Sequence, residues 1–197
     1  MELQDLISGN VKEIYILLTT ITAIVGLYST YRQWSKSLSL KRANYVYELC
    51  NKISTNELIR DVLYLIDYNI NWYTNGFHSS GVNQKNNADD VDNDKKTSIE
   101  AKVDYTLTYF SYICYLYKKQ IIIDEDFVFF KYDLQRMCTN YQVKNYLYNI
   151  YHFADKIGTS CTFYYLIDYA YKNGLIDSDF FDNKSYKTGK YQRNINI

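Results

Sequence analysis

Ile14-Tyr15-Ile16-Leu17-Leu18-Thr19-Thr20-Ile21-Thr22-Ala23-Ile24-Val25-Gly26-Leu27 runs for fourteen residues without a charge. Carried on to Tyr31 the segment has 18 residues. At ~1.5 Å rise per residue that is about 27 Å of helix, close to the ~30 Å hydrocarbon thickness of a bilayer. The run reads as a membrane anchor whose lipid-facing side chains are Ile14, Leu17, Leu18, Ile21, Ile24, Val25 and Leu27. Two small-residue pairs, Thr19 with Ala23 and Thr22 with Gly26, have the four-residue spacing at which spanning helices approach each other. A cleaved signal peptide would need basic residues in front, yet the chain starts with Glu2 and Asp5 and no Ala-x-Ala follows. A buried core helix is the other reading of such a run, because three threonines dilute it.

The flanks set the orientation. Arg32, Lys36, Lys41 and Arg42 follow the span with no acid before Glu48, whereas Glu2, Asp5 and Glu13 outnumber Lys12 ahead of it. The excess of basic residues on one side predicts that the C-terminal bulk is cytoplasmic and the N-terminus outside. Tyr28, Tyr31 and Trp34 fall where aromatic rings favour the headgroup region. The expected topology is a single crossing of a membrane.

Over the whole chain the composition, 47% apolar and 22% charged residues, is that of a protein that builds a core. Basic and acidic side chains balance at 22 each, so no global field attracts nucleic acid, and no specific nucleic-acid partner is expected. Proline is absent, which removes obligatory helix breaks, and 24 tyrosines supply core volume with a polar tip. Cys50, Cys114, Cys138 and Cys161 lie far apart without metal-ligand spacing and read as small buried hydrophobes of a reducing compartment.

Helical periodicity continues to the tail. Residues 38–53 carry Leu38, Ala43, Val46, Leu49, Cys50 and Ile53 at approximate helical spacing, so the spanning helix is free to continue. Ser54 with Glu57 predicts a capping box for a helix reaching Tyr73 and closed by Asn75-Gly76. Residues 77–96 lack periodicity and read as a mobile loop. Thr97 with Glu100 predicts the start of a helix carrying Ile99, Val103, Leu107, Phe110, Ile113, Cys114 and Tyr117. Asp124 opens another, with Phe127, Phe130, Leu134, Met137 and Cys138 inward. Thr139 with Gln142 predicts the cap of a helix bearing Val143, Tyr146, Leu147, Ile150, Phe153, Ala154 and Ile157, ended by Gly158. A last helix opens at Thr159 or Ser160, carries Phe163, Leu166, Ile167, Ala170 and Tyr171, and stops at Asn173-Gly174.

The fold class expected is therefore all-α: a single N-terminal transmembrane helix followed by a cytoplasmic bundle of about five to six helices. The domain limits read as an anchor at 1–35, a helical domain at 36–182 and a basic flexible tail at 183–197. That tail has four positive charges between Lys184 and Arg193 and no acid, which suits a solubilising end or anionic inner-leaflet lipid. An internal echo joins Tyr115-x-Tyr117-Lys118-Lys119 and Ile122-Ile123-Asp124 to Tyr169-x-Tyr171-Lys172-Asn173 and Leu175-Ile176-Asp177. Shared helix-junction chemistry, a lysine ending one helix and an aspartate opening the next, accounts for it.

Reactive motifs are sparse. With only His78 and His152 there is no histidine-rich metal site, and no phosphate-binding glycine loop occurs. The acidic run Asp89-Asp90-Val91-Asp92-Asn93-Asp94 is no EF-hand, since counting from Asp90 puts Lys95 at the glycine position and Ala101 at the glutamate position. His152 and Asp155, three apart on one helix, lie near Cys161 in sequence and form the enzyme alternative, a cysteine nucleophile. The other reading is a helix histidine held by its neighbour beside a core cysteine. No cofactor and no small-molecule ligand is expected.

The stretches Asp104-Tyr105-x-Leu107-x-Tyr109-Phe110-x-x-Ile113-Cys114-x-Leu116-Tyr117, Ile122-Ile123-Asp124-x-x-Phe127 and Tyr146-Leu147-Tyr148-Asn149-Ile150-Tyr151-His152-Phe153 resemble a loosely related group of uncharacterised bacterial proteins with short membrane-anchored helical domains. The resemblance spans about residues 10–182, rests on core aromatic and aliphatic positions, and carries no catalytic residue. It implies an anchor plus a helical bundle. The function expected is a membrane-tethered interaction or regulatory module in a bacterium, crossing the inner membrane once, with membrane lipid and a protein partner or a second copy as its contacts. A setting in a stress or phage-defence system follows by analogy alone. The rival from another class is a membrane-perturbing effector whose spans associate through the Thr19/Ala23 or Thr22/Gly26 pairs.

Overall fold

The computed structural model of the protein describes residues 2–73 and 99–192, with side chains described from residue 14 onward. Among these residues the chain is all-helical, with six α-helices and no strand. They are α1 (Glu2–Thr55), α2 (Glu57–Asp67), α3 (Ile99–Lys118), α4 (Asp124–Thr139), α5 (Tyr141–Lys156) and α6 (Tyr164–Lys172). Two short 3-10 turns, Ser178–Phe181 and Ser185–Thr188, follow. The chain divides into two compact units, Met1–Tyr45 and Val46–Ile197. The expected mobile loop at 77–96 and the cap at Thr97 lie outside the described residues.

In the first unit α1 has no proline to interrupt it, and every side chain from residue 14 to residue 41 is exposed. From Val46 the same helix belongs to the second unit, where Val46 and Leu49 are buried.

In the second unit α3 packs on α2, α4 and α6. The centre is made of Leu107, Phe110 and Ile113 from α3, Phe127, Phe130 and Leu134 from α4, and Leu147 from α5, none with any accessible surface. All five residues expected to face inward from α4 do so. Burying side chains of this size contributes roughly 1.5–3 kcal/mol each relative to leaving them in water. Two cross-links tie α1 and α2 to α3: the Tyr109 hydroxyl donates to the Leu49 carbonyl at 2.7 Å, and the Asn56 amide donates to the Tyr105 hydroxyl at 3.3 Å.

The helix starts differ from those expected, for a local reason. Asn56 and Asn140, rather than Ser54 and Thr139, are the N-caps of α2 and α5. Asn56 Oδ1 accepts from Leu58 and Ile59 at 2.9 and 3.3 Å, and Asn140 Oδ1 from Gln142 and Val143 at 3.0 and 3.1 Å. The hydroxyls of Ser54 and Thr139 instead turn back to carbonyls of the preceding helix, Cys50 at 3.3 Å and Gln135 at 2.8 Å. An asparagine side chain reaches two orphan amides of the next helix that those hydroxyls forgo. At α4, Asp126 reaches back to accept from the Ile123 amide at 3.3 Å, and isoleucine has no oxygen to reciprocate.

α2 also stops early, at Asp67, because Asn69 turns into the left-handed region with φ 48°. Ile70, inside the span expected to be helical as far as Tyr73, is exposed, while Trp72 and Tyr73 are buried beyond the helix end. α6 begins at Tyr164, after a turn that holds Cys161 and Phe163 inward. The echoed junctions are the same device twice. Gln120 and Gly174 take left-handed φ of 55° and 67°, the Ile121 and Leu175 amides return to Leu116 and Ala170 at 3.0 and 2.9 Å, and Ile122 and Ile176 are buried just after.

Two further expectations are corrected. Phe153 does not pack between helices but is 39% exposed, while α5 buries Asn145, Asn149 and His152 in addition to Val143, Tyr146, Leu147 and Ala154. Residues 183–192, expected as a flexible tail, are folded against that polar face: Tyr191 is buried and the Gln192 backbone is bonded from both sides.

Candidate functional site

Two features of the chain are unusual for their chemistry, the exposed apolar stretch of α1 and the buried polar face of α5. On α1 the seven residues read as lipid-facing, Ile14, Leu17, Leu18, Ile21, Ile24, Val25 and Leu27, are between 51% and 72% exposed. Water disfavours an apolar surface of this extent on a soluble domain. The helix is long and apolar enough to cross a membrane.

The threonines that dilute this stretch are satisfied within it. Thr19 Oγ1 donates to the Tyr15 and Ile16 carbonyls at 3.0 and 2.9 Å, Thr20 to Ile16 at 2.8 Å, Thr22 to Leu18 at 2.8 Å and Thr30 to Gly26 at 2.9 Å. A hydroxyl bonded to its own helix leaves no donor seeking water, which hydrocarbon requires. Ala23 is exposed, and a Cβ at Gly26 would meet nothing within 4 Å, so both small-residue pairs lie on open surface. Beyond them Arg32, Trp34, Lys36 and Lys41 are exposed and Arg42 is half-buried.

The residues of the enzyme alternative are occupied structurally. His152 is buried, with Nε2 2.9 Å from the Phe180 carbonyl and its ring edge-on to Tyr148 at 4.4 Å. A carbonyl oxygen only accepts, so Nε2 is the donor in this bond. Burial pushes the Cys161 thiol above its ordinary pKa, against a weaker opposing pull from the Phe163 amide, and keeps it protonated. Asp155 is exposed at the end of α5. Burial likewise raises Cys138 to about 12, and Cys114 is raised by burial together with the charges of Cys138 and Asp168. Among the described residues no group of three or more His, Cys, Asp or Glu side chains is placed to hold a metal ion.

The face of α5 that carries His152 holds the C-terminal segment. Asn145 Oδ1 accepts from the Gln192 amide at 2.9 Å, and Asn149 Nδ2 donates to the Gln192 carbonyl at 2.7 Å and to the Asn145 carbonyl at 2.7 Å. The Tyr191 ring stacks on Tyr148 with centroids 4.5 Å apart and planes 5° apart, and meets Phe180 edge-on at 5.8 Å. Lys190 Nζ sits 2.5 Å from Asp177 and 2.8 Å from Asp179. These contacts raise the Lys190 pKa, while the bond from Lys190 holds the Asp177 carboxyl below its ordinary range. Burial first, and the Asp177 charge second, push the Tyr191 phenol up to about 12.

Sequence reading passed over this arrangement. Its one signal was the spacing of Asn145, Asn149 and His152, a polar stripe at helical period on a helix that already had an apolar one. No protein-family model, curated protein or solved structure matches this chain.

Proposed function

We propose that this chain is a single-pass membrane-tethered module whose helical unit works in the cytoplasm of a bacterium by binding protein. The observation that carries the reading is the exposed, uncharged surface of residues 14–27 together with threonine hydroxyls satisfied inside the helix. Arg32, Lys36, Lys41 and Arg42 support the cytoplasmic side for the second unit. The many aromatic side chains left exposed there, among them Tyr68, Phe129 and Tyr132, suit protein contact better than chemistry. A role in stress or phage defence belongs to this proposal by analogy only.

The test is fractionation of the full-length chain from bacterial cells. Resistance to alkaline carbonate, with the second unit digestible only from the cytoplasmic side, is the expected result. Recovery of the full chain as a soluble monomer overturns it.

A second reading, an effector acting through association of its spans, is favoured by one observation, the open surface around Gly26. It predicts growth inhibition on expression that Gly26→Ile relieves.

A further inference from the structure

Residues 190–192 are held like a ligand. Gly189 closes the second 3-10 turn with φ 77°, a conformation that favours glycine, and a bend at Lys190 and Tyr191 then brings Tyr191 and Gln192 onto α5. Each makes a different kind of contact. Lys190 is held by two carboxylates, Tyr191 fills the aromatic slot between Tyr148 and Phe180, and the Gln192 main chain is read at both its amide and its carbonyl by Asn145 and Asn149. The Gln192 contacts recognise backbone rather than side chain.

Main-chain hydrogen bonds with side-chain slots beside them are how protein surfaces hold peptide segments. A helix face meant only for a core would present aliphatic side chains to its cover, whereas this one presents two asparagines and a histidine. The ion pairs that begin the segment are half-exposed and therefore screened by salt, and the lone apolar anchor is one tyrosine.

We propose that this face of α5, with Asp177, Asp179 and Phe180, is a peptide-binding groove that residues 190–192 occupy in cis. Its partner is a protein bearing a basic-aromatic-x segment, which displaces the chain's own segment. The proposal rests on the reading of the second unit as an interaction module and names the chemistry of what it binds.

Two measurements on the full-length chain in detergent micelles test it. In hydrogen exchange of the unaltered protein, the segment covering residues 190–192 should exchange at least about tenfold faster than α3, through local opening, and faster again in 1 M salt. Exchange at the rate of α3 would show that the segment opens only with the whole core and overturns the proposal. Secondly, a fluorescent peptide of residues 186–192 should bind the Tyr191→Ala chain saturably and the unaltered chain at least about tenfold more weakly, since the cis segment competes. The same peptide with Lys190→Glu should lose binding. A cooperatively folded Tyr191→Ala chain that ignores the peptide, or equal binding of the Lys190→Glu peptide, overturns the proposal. If Tyr191→Ala does not fold, the exchange measurement decides alone. Failure of the membrane reading would appear separately, as solubility without detergent.

Discussion

Gln142 of α5 holds the chain at Ile70: its Nε2 donates to the Ile70 carbonyl at 2.8 Å while its Oε1 accepts from the Trp72 and Tyr73 amides at 2.6 and 2.8 Å. One side chain thus satisfies three backbone groups beyond the end of α2, and it permits Trp72 and Tyr73 to be buried. Replacing it with leucine removes the hydrogen bonds to two buried amides. At roughly 1–3 kcal/mol for each, Gln142→Leu should destabilise the unit by about 2–6 kcal/mol. Denaturant unfolding followed by Trp72 fluorescence, in a Trp34→Phe background, measures it.

Phe110 and Phe153 should separate cleanly. Phe110 has no accessible surface, so Phe110→Ala should cost ~3–5 kcal/mol, whereas Phe153, 39% exposed, should lose about 1 kcal/mol or less. Thermal unfolding of the two variants side by side gives the comparison. Equal losses would mean that α5 is rotated from the register described.

A charge in the middle of the apolar stretch should release the protein from membrane. Ile21→Arg places a guanidinium near the centre of the span, at a cost of about 2.5–3.5 kcal/mol on insertion scales. The carbonate-resistant fraction should fall relative to that of Ile21→Leu. Similar fractions for both would place residue 21 outside hydrocarbon.

The Lys190 clasp should show in the pH dependence of stability. The Asp177 carboxyl, held low in the folded chain, contributes fully above its unfolded value near ~3.9, and that contribution is lost as pH falls through the folded value. The Lys190 ammonium, raised in the folded chain, contributes fully below its unfolded value near ~10.4 and loses its contribution as pH rises through the folded one. The difference in Tm between the unaltered chain and Lys190→Met should therefore be greatest between about pH 5 and 9 and shrink on both sides.

Alkylation should rank the cysteines by access. Cys50 is half-buried, whereas Cys114, Cys138 and Cys161 are buried, and burial raises all four thiols. Mass spectrometry after iodoacetamide at pH 8 should find Cys50 modified first. Early modification of Cys161 would favour the nucleophile reading.

The helices were legible wherever one apolar stripe faced one neighbour. α4 is the clearest case, with Phe127, Phe130, Leu134, Met137 and Cys138 facing inward as periodicity required. The starts of α2 and α5 were misread because serine and threonine match a capping motif, while the adjacent asparagines had the geometry that reaches two amides. The register of α5 was hidden for another reason. Hydropathy assigns asparagine to solvent, and only the tertiary contact with Tyr191 and Gln192 turns Asn145 and Asn149 inward. No pattern within α5 marks a cover that arrives forty residues later.

The polarity of that covered face has a consequence during synthesis. Chains fold from the N-terminal side as they leave the ribosome, and sticky surfaces exposed in the interval invite aggregation. α5 precedes residues 178–192 in the chain, so its face toward them stands uncovered until those residues fold onto it. A leucine-lined face would wait there as a hazard needing a chaperone. Asn145, Asn149 and His152 wait hydrated at no such risk, and exchange water for Gln192 and Phe180 when those residues emerge.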